Sequence, residues 1–311
     1  MTAGRDPHRS GSMTRAHPPG GGREILVLSN CQTGGMTACL DLFLPRDKVV
    51  GLAWSDSEEG CARAAAAAAA ADLVVTSAPR GLHAKLVSQY GVDPSKCLRF
   101  PGIGFSGFHP DLTIAYGDGE LIDVFPGVPY QSAIGLWCWK AGLNVRDTVD
   151  LFAAETMAAL GLDRSWDAAR QRLAARFEET GWSFADFFLP LQASGRVFMH
   201  TVNHPHLSAL AQMARVVARR IGATKDDLAA PAEQLIPDAL SQGAVWPVYP
   251  GVAESLGLQP SLLWKIGGGV YPLDRYLEAQ FDALRSARAP ITCEITDTPS
   301  FNAAMRLLVN R

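Results

Sequence analysis

The stretch that most constrains this chain is Ile25-Leu26-Val27-Leu28-Ser29-Asn30-Cys31-Gln32-Thr33-Gly34-Gly35. Four consecutive apolar residues, rich in branched side chains, make a short buried strand. A polar turn follows, and Met36, Leu40, Leu42, Phe43 and Leu44 supply the apolar face of a helix ending near Pro45. A strand that passes through a tight turn into a helix sets that turn at the carboxyl edge of a sheet, where open α/β sheets bind ligands. The residue at the turn is Cys31, between the amides of Asn30 and Gln32. A thiol beside a helix N-terminus is favoured as the thiolate, its nucleophilic form. A free cysteine is also a small hydrophobe suited to a core, and the residues alone leave both readings open.

The alternation continues downstream. Lys48 to Trp54 reads as a second strand, Asp72 to Thr76 as a third and Cys97 to Phe100 as a fourth. Between them lie an alanine-rich helix through Ala64–Ala71, with an acidic first turn around Glu58 and Glu59, and a helix from Leu82 to Tyr90. Strands alternating with helices predict an α/β fold, a mostly parallel sheet with helices on its faces. Ser132–Ala141, Val145–Leu160 and Trp166–Glu179 carry apolar residues at three- and four-residue spacing. They predict a large helical portion, a helical middle segment over about 130–190 within one catalytic domain spanning 24–311. Trp137, Trp139, Trp166 and Trp182 are expected to pack in the core.

Composition excludes several classes. The 28 basic residues against 31 acidic ones give a net charge of -3, with no nucleic-acid surface in view. The six cysteines are scattered, without C-x-x-C or cysteine–histidine pairing at zinc spacing, so neither a disulfide framework nor a metal site is expected. Residues 1–23, rich in Gly, Pro, Ser, Arg and His, read as a disordered tail lacking a signal-peptide core. No apolar run reads as a membrane span; a reduced, cytoplasmic setting is expected.

Two further polar clusters carry candidate chemistry. Phe100 to Thr113 is a Gly- and Pro-rich loop containing His109 and Asp111; Gly102, Gly104 and Gly107 match G-x-G-x-x-G, but no helix opens there as a dinucleotide site requires. Asp111 either orients an imidazole or is ordinary turn chemistry. Gly195 to His206 is the other cluster: Arg196–His200 has a strand pattern, and Pro205 suits a first helical position ahead of Leu207, Leu210 and Met213. His204 would then cap that helix, where a neutral imidazole, the form a general base needs, is favoured. Gly267–Gly269 is weak evidence of phosphate binding, and Arg80, Lys140 and Arg196 are available cations.

Taken in order, Asn30-Cys31-Gln32, Phe108-His109-Pro110-Asp111-Leu112 and Thr201-Val202-Asn203-His204-Pro205 resemble the WcbI family of capsular polysaccharide biosynthesis proteins, from about Ile25 to Tyr249-Pro250. The resemblance implies a strongly helical α/β protein that binds coenzyme A or acetyl-CoA and acetylates a hydroxyl of a bacterial glycan or sugar precursor. By position it implies a polar site of Cys31, His109, Asp111 and His204; apart from the resemblance, the amides of Asn30, Gln32 and Asn203 are candidate cofactor-binding groups that would hold the oxyanion with backbone N–H groups after the strand. Acyl transfer needs a nucleophile, a base and donors for the developing oxyanion. Either Cys31 takes the acyl group as a thioester, or a histidine activates the sugar hydroxyl for direct attack. Two other classes stay open: a cysteine esterase or hydrolase of SGNH-like layout, and a non-catalytic glycan-binding protein.

Overall fold

The computed structural model describes residues 21–310. The tail expected over 1–23 therefore lies almost wholly outside the described residues. At its edge Arg23 is tied down, its guanidinium 2.6 Å from the Asp47 carboxylate.

Four parallel strands form the central sheet: β1 (Glu24–Ser29), β2 (Lys48–Ala53), β3 (Leu73–Thr76) and β4 (Cys97–Arg99), in the order β2-β1-β3-β4. β1 is the central seam. It pairs Ile25 with Val49 on one side and with Leu73 on the other. Its unbroken apolar run follows from burial on both faces. Ile25 and Val27 point into one core with Met36, Leu40 and Phe43 of α1 (Thr33–Phe43), and with Leu210 and Val217 of the helix Leu207–Arg220. Leu26 and Leu28 point into the opposite core, against α2 (Glu58–Ala70) and α3 (Arg80–Tyr90).

This strand order has a consequence for ligand binding. From β2 the chain crosses over β1 to reach β3, so the connections after β1 and β3 leave in opposite directions. The crevice between the carboxyl ends of those two strands is the topological switch point where such sheets bind ligands. Asn30 and Cys31 follow β1 there, and Ser77 follows β3; the Ser29 and Ser77 hydroxyls lie 2.5 Å apart.

Small residues let the helices close on this frame. A Cβ added to Gly35 would lie 2.4 Å from Leu210 Cδ1, so glycine is what allows α1 to sit tightly on the helix Leu207–Arg220. In the alanine-rich α2, Ser57 Oγ accepts the Gly60 N–H as the N-cap, and Ala64 and Ala68 are the buried faces. Trp137 and Trp182 are buried, and Trp166 sits edge-on to Phe105 and Phe108.

Several expectations need correction. The helix expected over Val145–Leu160 is two short ones, Val145–Val149 and Ala154–Ala159. Between them tight turns carry Phe152 into the core against Tyr249, ring centroids 5.4 Å apart. Arg196–His200 is not a strand; only Met199 bridges to Pro205. That bridge holds Pro205 in extended structure, so the helix begins two residues later at Leu207, with His206 rather than His204 in the cap position. The glycine run at 267–269 is a hairpin turn joining Leu263–Ile266 to Gly269–Pro272, with Gly267 at φ 56°. A short antiparallel pair that the sequence does not announce, Leu112–Ile114 with Tyr130–Ser132, anchors the end of the long Gly-Pro loop. No helix among the described residues is long and apolar enough to cross a membrane.

Candidate active site

The turn after β1 is built by side chains that imitate backbone. Asn30 Oδ1 accepts the Gln32 N–H at 3.1 Å, and the Asn30 carbonyl accepts Thr33 N–H at 3.0 Å and Thr33 Oγ1 at 2.7 Å. The Gln32 side chain is buried and fastens two other loops to this turn. Its Nε2 donates to the Ile103 carbonyl at 2.6 Å while its Oε1 accepts the Ile103 N–H at 3.2 Å, as a neighbouring strand would. The same Nε2 reaches the Asn203 carbonyl at 3.2 Å. All three sequence clusters therefore meet at Gln32.

Cys31 is exposed at the surface of this junction. Its thiol points to the Asn203 carbonyl, 4.0 Å away. Asn203 is held from the other side: its Oδ1 accepts from Tyr130 Oη at 2.7 Å and from Thr201 Oγ1 at 3.0 Å. The Tyr130 ring meets His204 edge-on, centroids 5.9 Å apart. Burial raises the Tyr130 phenol above its usual range, and the nearby Cys31 adds to that rise. The structure thus groups Cys31, Gln32, Asn203, Tyr130 and His204.

Two influences oppose each other at the Cys31 sulfur. Atoms packed around the sulfur push the Cys31 thiol above its ordinary range, while its own backbone N–H pulls the other way. Burial depresses the His204 imidazole, followed by the neighbouring His200. His204 Nδ1 is buried without a hydrogen-bond partner.

His109 and Asp111 lie elsewhere in this network. His109 is buried with one ring nitrogen 3.3 Å from the Pro247 carbonyl and the other 3.2 Å from the Met199 carbonyl. Desolvation holds its pKa down to about 4, with those two carbonyls opposing it. Asp111 lies at the start of the helix Ala133–Lys140: Oδ1 accepts Ile134 N–H at 2.8 Å, and Oδ2 accepts Ser132 Oγ at 2.6 Å and Tyr249 Oη at 3.1 Å. Desolvation raises its pKa to about 6 against those hydrogen bonds. No hydrogen bond joins either residue to Cys31 among the described residues.

Beside Cys31 opens a cleft of about 610 Å³ along the carboxyl ends of β1, β3 and β4. Asn30, Gln32 and Asn203 line it at the Cys31 end. Four arginines line it against one acidic residue, Glu179: Arg80 at the start of α3, Arg99 at the end of β4, and Arg172 and Arg176 on the helix Ser165–Thr180. Arg172 donates to Ser106 Oγ at 3.0 Å and Arg176 to the Gly104 carbonyl at 3.3 Å. The Arg99 Nε is buried without a partner. In a chain of net charge -3 this is a concentrated cationic surface. Of the cations named from sequence, Arg80 lines the cleft and Lys140 pairs with Asp297 at 2.7 Å.

Tyr130, Arg99, Arg172 and Arg176 escaped sequence reasoning. The spacing of Arg172 and Arg176, four residues apart on one helix face, was the available signal. Nothing local marks Tyr130, which the unannounced strand pair brings in.

The fold and site define a class: an α/β protein with a cysteine at the switch-point turn, beside a cationic cleft sized for a small-molecule ligand. A profile of the family described as the polysaccharide biosynthesis enzyme WcbI matches residues 24–226, and the chain belongs to that family of polysaccharide biosynthesis enzymes. A solved structure of WcbI shares the fold, with a TM-score of 0.66 and 16% identity over 94% of each chain. That structure is described as a novel polysaccharide biosynthesis enzyme, native protein without a disulfide bond between coenzyme A and a cysteine. A search of curated proteins finds no match.

Proposed function

We propose that this chain is an acetyl-CoA-dependent acyltransferase, acting in the cytoplasm on a hydroxyl of a bacterial capsular polysaccharide or its precursor. The observation that carries this reading is the arginine-lined cleft ending at the Cys31 turn. Coenzyme A is an anion at its nucleotide end and a thiol at the other, which suits an arginine-lined cleft that reaches the turn carrying Cys31. The description of the related structure, which speaks of coenzyme A and a cysteine in disulfide terms, supports the same orientation.

In this reading Arg80, Arg99, Arg172 and Arg176 hold the phosphates, since guanidinium forks match phosphate oxygens. Cys31 Sγ attacks the acetyl carbonyl. The carbon–sulfur bond to coenzyme A breaks, and the departing sulfur takes the proton that Cys31 gives up. The sugar hydroxyl then attacks the Cys31 thioester, returning a proton to Sγ as the ester forms. Asn30 keeps its Nδ2 for the developing oxyanion, its Oδ1 being committed to the turn. His204, with its unpartnered Nδ1, serves as base for the sugar hydroxyl. Gln32, Asn203, Tyr130, His109 and Asp111 position these groups.

Ligand linkage tests the reading. Coenzyme A at about a hundredfold over its Kd should stabilise the folded protein by about 2.7 kcal/mol, read as a rise in Tm. A folded protein whose Tm is unmoved by millimolar coenzyme A would overturn it in favour of a hydrolase or a glycan-binding protein.

A further inference from the structure

The loop that presents Asn203 to Cys31 is gripped at its base by groups that acyl transfer does not use. His200 and His206 flank that base: Met199 bridges to Pro205, the His200 N–H donates to the His204 carbonyl at 2.7 Å, and the His206 N–H donates to the Phe198 carbonyl at 2.9 Å. Their imidazoles stack across the neck, centroids 3.9 Å apart and 25° from parallel. Asp238 closes the group from a distant segment. Its Oδ2 lies 2.9 Å from His200 Nε2 and accepts the Leu207 N–H at 2.9 Å. One nitrogen of each imidazole and one Asp238 oxygen all lie within 4.8 Å of one another.

We infer that His200, His206 and Asp238 form a binding site for a divalent transition metal of the zinc type, which clips the loop 199–206 shut. The donor set decides the class. Two imidazoles and one carboxylate suit zinc and its neighbours, whereas magnesium and calcium prefer oxygen alone. Three protein ligands with one open position make a familiar zinc geometry. Donors around a tetrahedral zinc at about 2.0–2.1 Å stand roughly 3.3 Å apart. Rotation of the two imidazoles out of their stack, which is 25° from parallel, is required for both ring nitrogens to face one ion at that spacing.

Outer contacts also fit. Asp238 is steadied by the Leu207 N–H. His200 is buried while the Asp238 side chain is 27% exposed, which leaves an approach from solvent. On binding, the metal takes the place of the proton between His200 Nε2 and Asp238 Oδ2. His200 Nδ1, without a partner among the described residues, then carries the imidazole proton. A scan for cysteine-based zinc spacing passes over this site because none of its ligands is a cysteine.

The function of the clip is positional. Only residues 201–205 separate the two histidines, and among them Asn203 receives both the Gln32 amide and the Cys31 thiol on its carbonyl. Closing the loop base removes conformational freedom from the wall of the site.

The test uses the full chain, stripped with a chelator and titrated with zinc or cobalt(II) alone. The expected result is one metal per chain by elemental analysis, a visible cobalt spectrum and a raised Tm. His206→Gln and Asp238→Asn, checked for folding by circular dichroism, should weaken metal affinity by more than the roughly 10–100-fold that losing an outer-shell partner costs. Cys31→Ala should retain the metal in full. Wild-type protein that takes up no cobalt would overturn the inference and leave the cluster as a hydrogen-bonded helix cap. Undiminished metal binding by both variants would overturn it too, by locating the metal elsewhere. Neither outcome touches the acyltransferase reading, which coenzyme A binding tests separately.

Discussion

Replacing Gln32 by leucine should loosen the site and the fold together. Leucine keeps nearly the volume of glutamine, so the cavity term is small and lost hydrogen bonds dominate. The variant strands the Ile103 N–H and the Ile103 carbonyl, which among the described residues are bonded through this amide alone, and removes one donor from the Asn203 carbonyl. A buried backbone group left without a partner costs about 1–3 kcal/mol. Two such groups, with some relaxation of the loop, give about 2–4 kcal/mol. For a chain of this size that corresponds to roughly 3–6 °C in Tm. The assay is thermal unfolding followed by circular dichroism at fixed pH and salt, paired with calorimetric titration of coenzyme A. Weakened coenzyme A binding should accompany the lower Tm, because the loop carrying Gly102 to Ser106 forms one wall of the cleft. A Tm within about 1 °C of wild type, with coenzyme A affinity intact, would refute the claim that this amide joins the three segments.

The arginines offer a second check: Arg172→Ala with Arg176→Ala should weaken coenzyme A binding by about 2 kcal/mol, or roughly 30-fold in Kd, after allowing for solvent exposure. The deficit should shrink as salt is raised, and an unchanged Kd at low salt would remove these residues from the phosphate site. Asp111 makes a pH prediction. Its folded pKa, about 6, lies above the roughly 3.9 of an unfolded aspartate. Its linkage contribution is therefore fully present below pH 3.9 and is lost as pH rises through 6, by about 2–3 kcal/mol. Asp111→Asn should abolish that slope of stability between pH 4 and 6.5, and urea titrations that keep the slope would show that Asp111 is ionised in the fold throughout.

Much of the fold was legible because its signals are local. The apolar run before Asn30, the acidic first turn at Glu58 and Glu59 and the alanine helix each specify their own element. The parallel sheet follows from alternation, and the two-sided burial of β1 from its unbroken apolar run, but the order β2-β1-β3-β4 is seen only in the structure. What was not legible depends on partners distant in sequence. Pro205 looks like a helix start until Met199 is seen to bridge to it, and His109 looks like a base until two carbonyls from 199 and 247 enclose it. Cys31 was found by its place at a strand end, yet its raised pKa comes from packing that no spacing reveals. The arginines of the cationic cleft come from three separate stretches, around Arg80, at Arg99 and along the helix carrying Arg172 and Arg176, and in sequence each is only a solvated charge.

The most direct test of the central claim is the mass of the protein after acetyl-CoA alone. Wild-type chain incubated without glycan, then digested and mapped, should carry an acetyl group on the peptide containing Cys31. The yield should rise with pH as the packed thiol ionises, and adding the glycan acceptor should discharge it. Cys31→Ala should bind coenzyme A, carry no acetyl group and transfer none. Near-normal transfer by a folded Cys31→Ala variant, with no acetyl on wild-type Cys31, would contradict the account and assign activation of the acceptor hydroxyl to a histidine acting directly.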